Sequence, residues 1–325
     1  MKATAIAPSN IAFTKYWGRK DEKLRLPING SVAMTLSNLL TTTTVEFNAN
    51  LKADDITINH EEITQEVEKV VKHLDRIRKL AGINPFAKVI SVNSFPTGTG
   101  LSSSSSGFAA LTVAASSAAG LNLSEKELGI LSRQASGASC RSIPSGFVEW
   151  LDGDTSETSY AKTIFPKSYW DIADIVAVVS KERKDVTTSQ GHEKANTSLF
   201  METRIKGMKK KNQIVKKLIQ EKDFQKFGIF IEEEALELHA IYITQIPYLI
   251  YLIPESLKII KLCKKWRQEG LEVYFTVNTG QDVHLIVEKK NVTMLVQKLK
   301  DIPEVKDIIV NYPGDGTKLS SKHLF

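Results

Sequence analysis

Apolar residues recur along one stretch at Ile63, Val67, Val70, Val71, Leu74, Ile77 and Leu80. Steps of three and four keep them on one face of a helix, so residues 61–81 are expected to be helical, with Gly82 as the stop. Elsewhere the period is two. Residues 2–8 and 30–47 read as strands, the second ending in a threonine-rich, hairpin-like segment, and 88–92, 146–151 and 171–180 read as further strands. Ser124 with Glu127 is a capping box that opens a helix through about Ala135, and a polar turn follows over 135–141. Past residue 180 the pattern changes: 181–197 is polar and loop-like, and helical spacing dominates 199–239. Residues 255–268 and 292–300 are helices, while 273–277 and 282–288 pair as a hairpin. The expected class is α+β in two halves, 1–180 and 181–325.

The most informative stretch lies between a strand and a helix. After 88–92 the chain reads Asn93, Ser94, Phe95, Pro96, Thr97, Gly98, Thr99, Gly100, Leu101, then five serines at 102–106 and Gly107. Residues 108–119 have the small, apolar composition of a buried helix. This order gathers unpaired backbone N–H groups and the positive end of a helix dipole at one point, which suits phosphate. No Lys-Ser or Lys-Thr follows the last glycine, so the loop is not of the Walker A type. A Ser/Gly linker has a similar composition, but it would not run straight into an Ala/Leu helix.

Composition narrows the class. The chain has 325 residues, 42% hydrophobic and 25% charged, as a globular protein does. No stretch approaches the roughly 20 apolar residues of a membrane span, and no apolar run of signal-peptide length opens the sequence. A net charge of +6 suits a small anionic substrate as readily as nucleic acid. Its densest run, Lys209, Lys210 and Lys211 with Lys216 and Lys217, reads as a solvated helix face, so neither a nucleic acid nor a membrane is expected as partner. Cys140 and Cys263 fit neither a metal spacing nor a disulfide framework, which points to the cytoplasm. Cys140 beside Arg141 reads as a buried thiol or as one of lowered pKa. His192, His239 and His284 show no ligand spacing; His284 reads as structural or as orienting Asp282.

The segments APSNIAFTKYWGR, FPTGTGLSSSSSGFAAL, SGASCRSIPSGFVEW, VTTSQGH at 186–192 and YFTVNTGQDVHLI at 274–286 span nearly the whole chain. In this order they resemble the ATP-dependent mevalonate diphosphate decarboxylases of the GHMP small-molecule kinase superfamily. The resemblance implies a GHMP kinase fold. Its N-terminal domain is like the second domain of ribosomal protein S5, its C-terminal domain is ferredoxin-like, and a cleft lies between them. It implies ATP, Mg²⁺, a phosphorylated mevalonate substrate and a homodimer. The γ-phosphoryl group would pass to the 3-hydroxyl of mevalonate 5-diphosphate, and loss of that phosphate with CO₂ would give isopentenyl diphosphate. The alternatives are a mevalonate 5-phosphate decarboxylase giving isopentenyl phosphate, a mevalonate 3-kinase, and a non-catalytic nucleotide-binding paralogue.

Residue by residue, the resemblance sets the triphosphate on Pro96, Thr97, Gly98, Thr99, Gly100, Leu101, Ser102, Ser103, Ser104 and Ser105, with Ser103 or Ser104 near the metal. Lys15 matches the family's cleft lysine, and Arg141 the arginine that grips the substrate carboxylate. Tyr16, Trp17, Gly18 and Arg19 match a substrate-lining run, with Arg19 where many members have lysine. Ser136, Gly137, Ala138, Ser139 and Cys140 form a further substrate loop, where relatives commonly read Ser-Ala in place of Ala138-Ser139. Lys72 falls near a family arginine at the 5-phosphate end, and Ser189 is a further phosphate contact.

The main departure is at Asn278. Relatives generally carry a catalytic aspartate there, in an Asp-Ala-Gly-Pro-Asn type sequence; here it reads Asn278-Thr279-Gly280-Gln281-Asp282. An amide does not accept a hydroxyl proton as a carboxylate does. Three readings stand: a disabled or engineered protein, one that performs part of the reaction, or an acid moved to Asp282. In a hairpin with loop 279–281, residues 278 and 282 face each other with Cβ atoms about 4.5–5.5 Å apart. Asp282 can then serve nearly the same spot, or simply decorate the turn.

Overall fold

Alanines set how closely the first two layers approach. β1 (Lys2–Ala12) presents Ala3, Ala5 and Ala7 to α2 (Ser103–Ala118), which answers with Ala109, Ala110, Ala114, Ala115 and Ala118. The structure, a computed structural model, describes residues 1–59, 64–95, 100–182 and 186–325, with Thr64 and Gln65 by backbone alone. β1 pairs antiparallel with β4 (Ser31–Asn48) on one side and β13 (Lys318–Ser320) on the other. From β4 the sheet continues through β6 (Phe86–Asn93) to β5 (Asp55–Ile58). β7 (Phe147–Trp150) takes the near end of β4, with β8 (Ala161–Phe165) beyond it. β2 (Arg19–Asp21) and β3 (Leu26–Pro27) form a small ladder of their own. α1 (Thr64–Ala81) joins the α2 core through Val70, Leu74 and Ile77, and α3 (Glu125–Ala135) starts at the expected Ser124–Glu127 box.

β9 (Ile172–Val178) is central in a second, antiparallel sheet ordered β10 (Val273–Thr276), β11 (Val283–Glu288), β9, β12 (Asp307–Asn311). α7 (Pro254–Gln268) and α8 (Val292–Lys300) cover one face through Ile259, Cys263, Trp266, Leu295 and Leu299. Against the other face pack α5 (Met201–Glu221) and α6 (Phe224–Thr244). Their Val215, Phe224, Phe227 and Ile231 share one cluster with Val176 and Tyr274 of this sheet and with Ile11, Phe13, Val32 and Met34 of the first. The two halves therefore meet in a continuous apolar core.

Several expectations need correction. The threonine-rich end of β4 does not turn back; it runs on because β1 and β6 take both of its edges. The serine tract is not a loop: Ser103 already opens α2, and Ser106 satisfies its hydroxyl against Thr41 Oγ1 at 2.6 Å. The stretch 181–197 contains a short helix, α4 (Thr188–Glu193), whose capping box of Thr187 and Gln190 was a readable signal. β9 belongs to the second sheet and β13 to the first, so the chain crosses between halves before residue 180 and again near its end.

Candidate functional site

An irregularity in β1 aims the site. Between Pro8, opposite Leu40, and Asn10, opposite Thr35, the register slips. There the Ser9 hydroxyl donates to Leu101 O at 2.6 Å, and Asn10 Nδ2 donates to Ser142 Oγ at 2.9 Å. One strand thus fixes both the entry to α2 and the 3-10 turn Gly137–Ser142. Ser102 is left-handed (φ 59°) and no side chain caps α2, so the first N–H groups of the helix are left for a ligand. Gly100 (φ +110°) also faces the second half: a Cβ there would lie 2.4 Å from Gly280 Cα, so only glycine permits this approach.

Between the halves lies an open cleft with a cavity volume of about 230 Å³. Two buried basic side chains face into it. Lys15 Nζ donates to Ala12 O at 2.7 Å and to Asn278 Oδ1 at 3.0 Å, while Arg141 Nη1 donates to Ser31 Oγ at 2.7 Å. Arg141 Nε is buried without a partner, and among the described residues neither cation's head group meets a carboxylate. Burial lowers Lys15 to about 7, against the pull of Glu234, and lowers Arg141 to about 10. Buried basic groups without anionic partners are costly to keep charged and mark a site for an anionic ligand.

The Lys15 peptide is itself clamped. Its N–H donates to Glu234 Oε1 at 2.9 Å, and its carbonyl accepts from Arg204 Nη2 at 3.0 Å; Arg204 and Glu234 form a buried ion pair. Asn278 is held by its backbone, whose carbonyl accepts from His239 Nε2 at 3.1 Å. Burial lowers His239 to about 4, so the ring is neutral and donates there as the Nε2–H tautomer.

The adjoining wall is aromatic. His192 stacks against Tyr16 and packs on Trp17, with centroids 4.3 and 4.1 Å apart, and its Nδ1 accepts the Gly18 N–H at 3.0 Å. Arg19 donates to Ser189 Oγ at 3.1 Å and to Tyr16 Oη at 3.2 Å. Arg25 and Lys69 line the same cleft. Burial, then the nearby Arg19 charge, lowers the Arg25 pKa, as expected in a cluster of cations. A second cavity adjoins the start of α2. Ile58, Val70, Val89, Phe108 and Leu111 wall it, Asn93 and Ser91 supply polar edges, and Ser103 and Ser104 belong to both spaces.

Of the expected site residues, Lys15, Tyr16, Trp17, Arg19, Arg141, Asn278 and Ser189 meet in the cleft, with Gly100, Ser102, Ser103, Ser104, Ser105, Ser136, Gly137 and Ala138. Pro96, Thr97, Gly98 and Thr99 lie outside the described residues. Others are placed differently. Leu101 is buried and offers its carbonyl to Ser9. Gly18 supplies a positive-φ turn, Ser139 turns its hydroxyl inward to Ser132 O, and Lys72 is exposed beside Glu68. Cys140 is fully buried and its thiol is pushed up to about 12 by that burial, which removes the lowered-pKa reading.

Asp282 is the largest correction. The hairpin register is as expected, with Thr276 opposite His284. The carboxylate nevertheless does not line the cleft, and its Oδ1 accepts the Val179 N–H at 3.0 Å. That N–H follows the last residue of β9, where the ladder has run out, and the turn carboxylate satisfies it. The relocated-acid expectation fails on this geometry. His284 is structural, its Nδ1 2.9 Å from Asp174 Oδ2.

Residues 7–161 match the family described as "Diphosphomevalonate decarboxylase-like N-terminal domain", and 174–321 match "Mevalonate 5-diphosphate decarboxylase C-terminal domain". The chain is 31% identical to the diphosphomevalonate decarboxylase of Candida albicans over 307 residues, 89% of this chain and 85% of that one. It is similar to the crystal structure of mevalonate diphosphate decarboxylase from Staphylococcus aureus, at 37% identity and a TM-score of 0.93 over 98% of both chains. MDDEF, solved in complex with MVAPP, AMPPCP and magnesium, has 35% identity and a TM-score of 0.93 over 99% of both.

Proposed function

The chain belongs to the diphosphomevalonate decarboxylase family, and we infer that it decarboxylates mevalonate 5-diphosphate to isopentenyl diphosphate with ATP, releasing ADP, phosphate and CO₂. The observation that carries this reading is the pair of buried basic side chains, Lys15 and Arg141, turned into one cleft with no carboxylate on either head group among the described residues. The substrate brings two anionic centres to match them. Its carboxylate suits the Arg141 fork, and the phosphoryl group in transfer suits Lys15. Arg19, Arg25 and Lys69 at the other wall give the 5-diphosphate several cations, more than a monophosphate needs.

For the nucleotide, the apolar cavity beside α2 takes the base, and the uncapped helix start with Ser102, Ser103 and Ser104 takes the phosphates. Among the described residues no His, Cys, Asp or Glu cluster holds a metal. Magnesium, which neutralises phosphate charge when bound, suits the hydroxyls of Ser103 and Ser104 together with the nucleotide's own oxygens. Transfer of the phosphoryl group to the tertiary hydroxyl turns it into a leaving group. Arg141 meanwhile orients the carboxylate whose C–C bond then breaks, in a pocket that Tyr16, Trp17 and Tyr242 keep dry.

Exposed apolar residues on and after α6, among them Leu236, Ile243, Ile246 and Ile250, support a homodimer. No described helix is long and apolar enough to cross a membrane, and the buried reduced thiols of Cys140 and Cys263 support a cytoplasmic location. The function is tested by steady-state kinetics with ATP and each of mevalonate, its 5-phosphate and its 5-diphosphate, for the protein and for Arg141→Lys. The 5-diphosphate should give the highest kcat/KM. Arg141→Lys should lower its turnover at least roughly tenfold while sparing ATP binding, since a point charge replaces a fork. Equal losses for both ligands would assign Arg141 to the nucleotide site.

A further inference from the structure

Attack by the 3-hydroxyl requires a group that takes its proton, and few groups in this cleft can do so. Asn278 fills the family's carboxylate position with an amide, which is not basic. Asp282 is turned to Val179, and Asp174 is held by His284. Glu234 accepts from the Lys15 N–H, Arg204 and Lys211 and does not line the cleft. His192 does line it, but with Nδ1 accepting the Gly18 N–H the neutral ring carries its proton on Nε2 and only donates there. Burial raises the pKa of Tyr16 and of Tyr242. Glu66 lines the cleft too, but at the start of α2, where with Lys69, Ser103 and Ser104 it is shared with the adjoining cavity assigned to the base.

Among the described residues Lys15 remains, and its surroundings define a state. Its nitrogen has two protein acceptors, Ala12 O and Asn278 Oδ1, and both are neutral. A neutral amine has two N–H bonds and one lone pair. With both N–H bonds given to those acceptors, the lone pair is left for the cleft that Lys15 lines. We propose that Lys15, as the neutral amine, is the proton acceptor for the attacking hydroxyl in this chain, with Asn278 as the residue that holds it in that state. This rests on the decarboxylase reading. A carboxylate at 278 would pair with the ammonium and keep it charged; the amide does not. The charged groups facing Lys15 are Glu234 from α6 and Asp174 from β9, which favour the ammonium, and Arg141 and Arg204, which oppose it; burial outweighs them all and sets the value near 7. His239, packed from α6, is neutral at that pH.

In the step itself the hydroxyl O–H bond breaks and its proton goes to Nζ. The oxygen forms a bond to the γ-phosphorus, and the bond from that phosphorus to the bridging oxygen breaks, its electron pair leaving on ADP. The new ammonium then faces the phosphate ester, where its charge is useful. Its proton returns to solvent once phosphate has left.

Two measurements test this. Selective lysine labelling and NMR titration of the protein without substrate should show Lys15 titrating near 7, and well above that in Asn278→Asp. The pH profile of kcat/KM for ADP formation, which reports the free enzyme, should rise about tenfold per pH unit below that value and then level. Lys15→Arg, which stays protonated, should lose at least roughly 100-fold at every pH. Lys15→Ala should be partly rescued by small primary amines in their free-base form. ADP formation with a flat profile, or within about tenfold of normal in Lys15→Arg, overturns the proposal while leaving the decarboxylase reading intact, and so does a Lys15 titration at the ordinary lysine value. No ADP from any mevalonate at any pH, with Lys15 titrating near neutrality, overturns the decarboxylase reading and this proposal with it.

Discussion

His73 shows how burial fixes a protonation state away from the cleft. It has no exposed surface, and its Nε2 lies 2.8 Å from Thr112 Oγ1. Thr112 gives its own proton to Phe108 O, so His73 donates through Nε2–H and leaves Nδ1 buried without a partner. Burial lowers its pKa to about 3, and that of His239 to about 4. Both folded values lie below the unfolded one. As pH falls below about 6.5 the unfolded chain takes protons that the native state refuses, so stability is complete above that pH and lost below it. Each histidine should cost roughly 1.4 kcal/mol per pH unit within its window. Urea unfolding at pH 7 and pH 4.5 checks this; equal stabilities would contradict it. At this scale Lys15, Arg141 and Asn278 were legible because they sit in motifs. Arg25, Lys69 and Glu234 were not, since no periodicity marks a lone cation or a buried acid. Lys72 was misplaced by about one helical turn, which at 1.5 Å per residue carries it past the cleft that Lys69 lines.

Helix α6 does more for the site than any sequence pattern indicated. From it Glu234 holds the Lys15 N–H and His239 holds the Asn278 carbonyl, Leu238 and Tyr242 line the cleft, and Gln245 at its end accepts the Trp17 indole N–H at 3.1 Å. Helical spacing revealed that residues near here form helices. It did not reveal the working face, because buried polar residues interrupt the apolar stripe that reports a core-facing side. Replacing Glu234 by Gln should lower stability by about 3 kcal/mol in urea unfolding, since it leaves the buried Arg204 charge underpaired. It also removes an interaction that raises Lys15, so the rising limb of the pH profile should move to lower pH. A purely structural role would lower the rate and leave the limb in place.

Across the whole molecule, the two halves share one apolar cluster, and the site lies where they meet. The α+β class and the order of the main elements were legible, because long amphipathic helices and alternating strands carry their own signal. The assignment of β9 to the second sheet was not, since strand partners are chosen by non-local pairing that leaves no local trace. The side-chain direction of Asp282 was lost for a related reason: the hairpin fixes its register, but the neighbouring strand end decides where its carboxylate turns. The central claim is that this site, with an amide at residue 278, carries the reaction through to carbon–carbon cleavage. It is tested most directly by measuring CO₂ and ADP together in a single turnover with ATP and mevalonate 5-diphosphate. The predicted result is one CO₂ for each ADP; ADP released without CO₂ would contradict the claim and make the protein a 3-kinase.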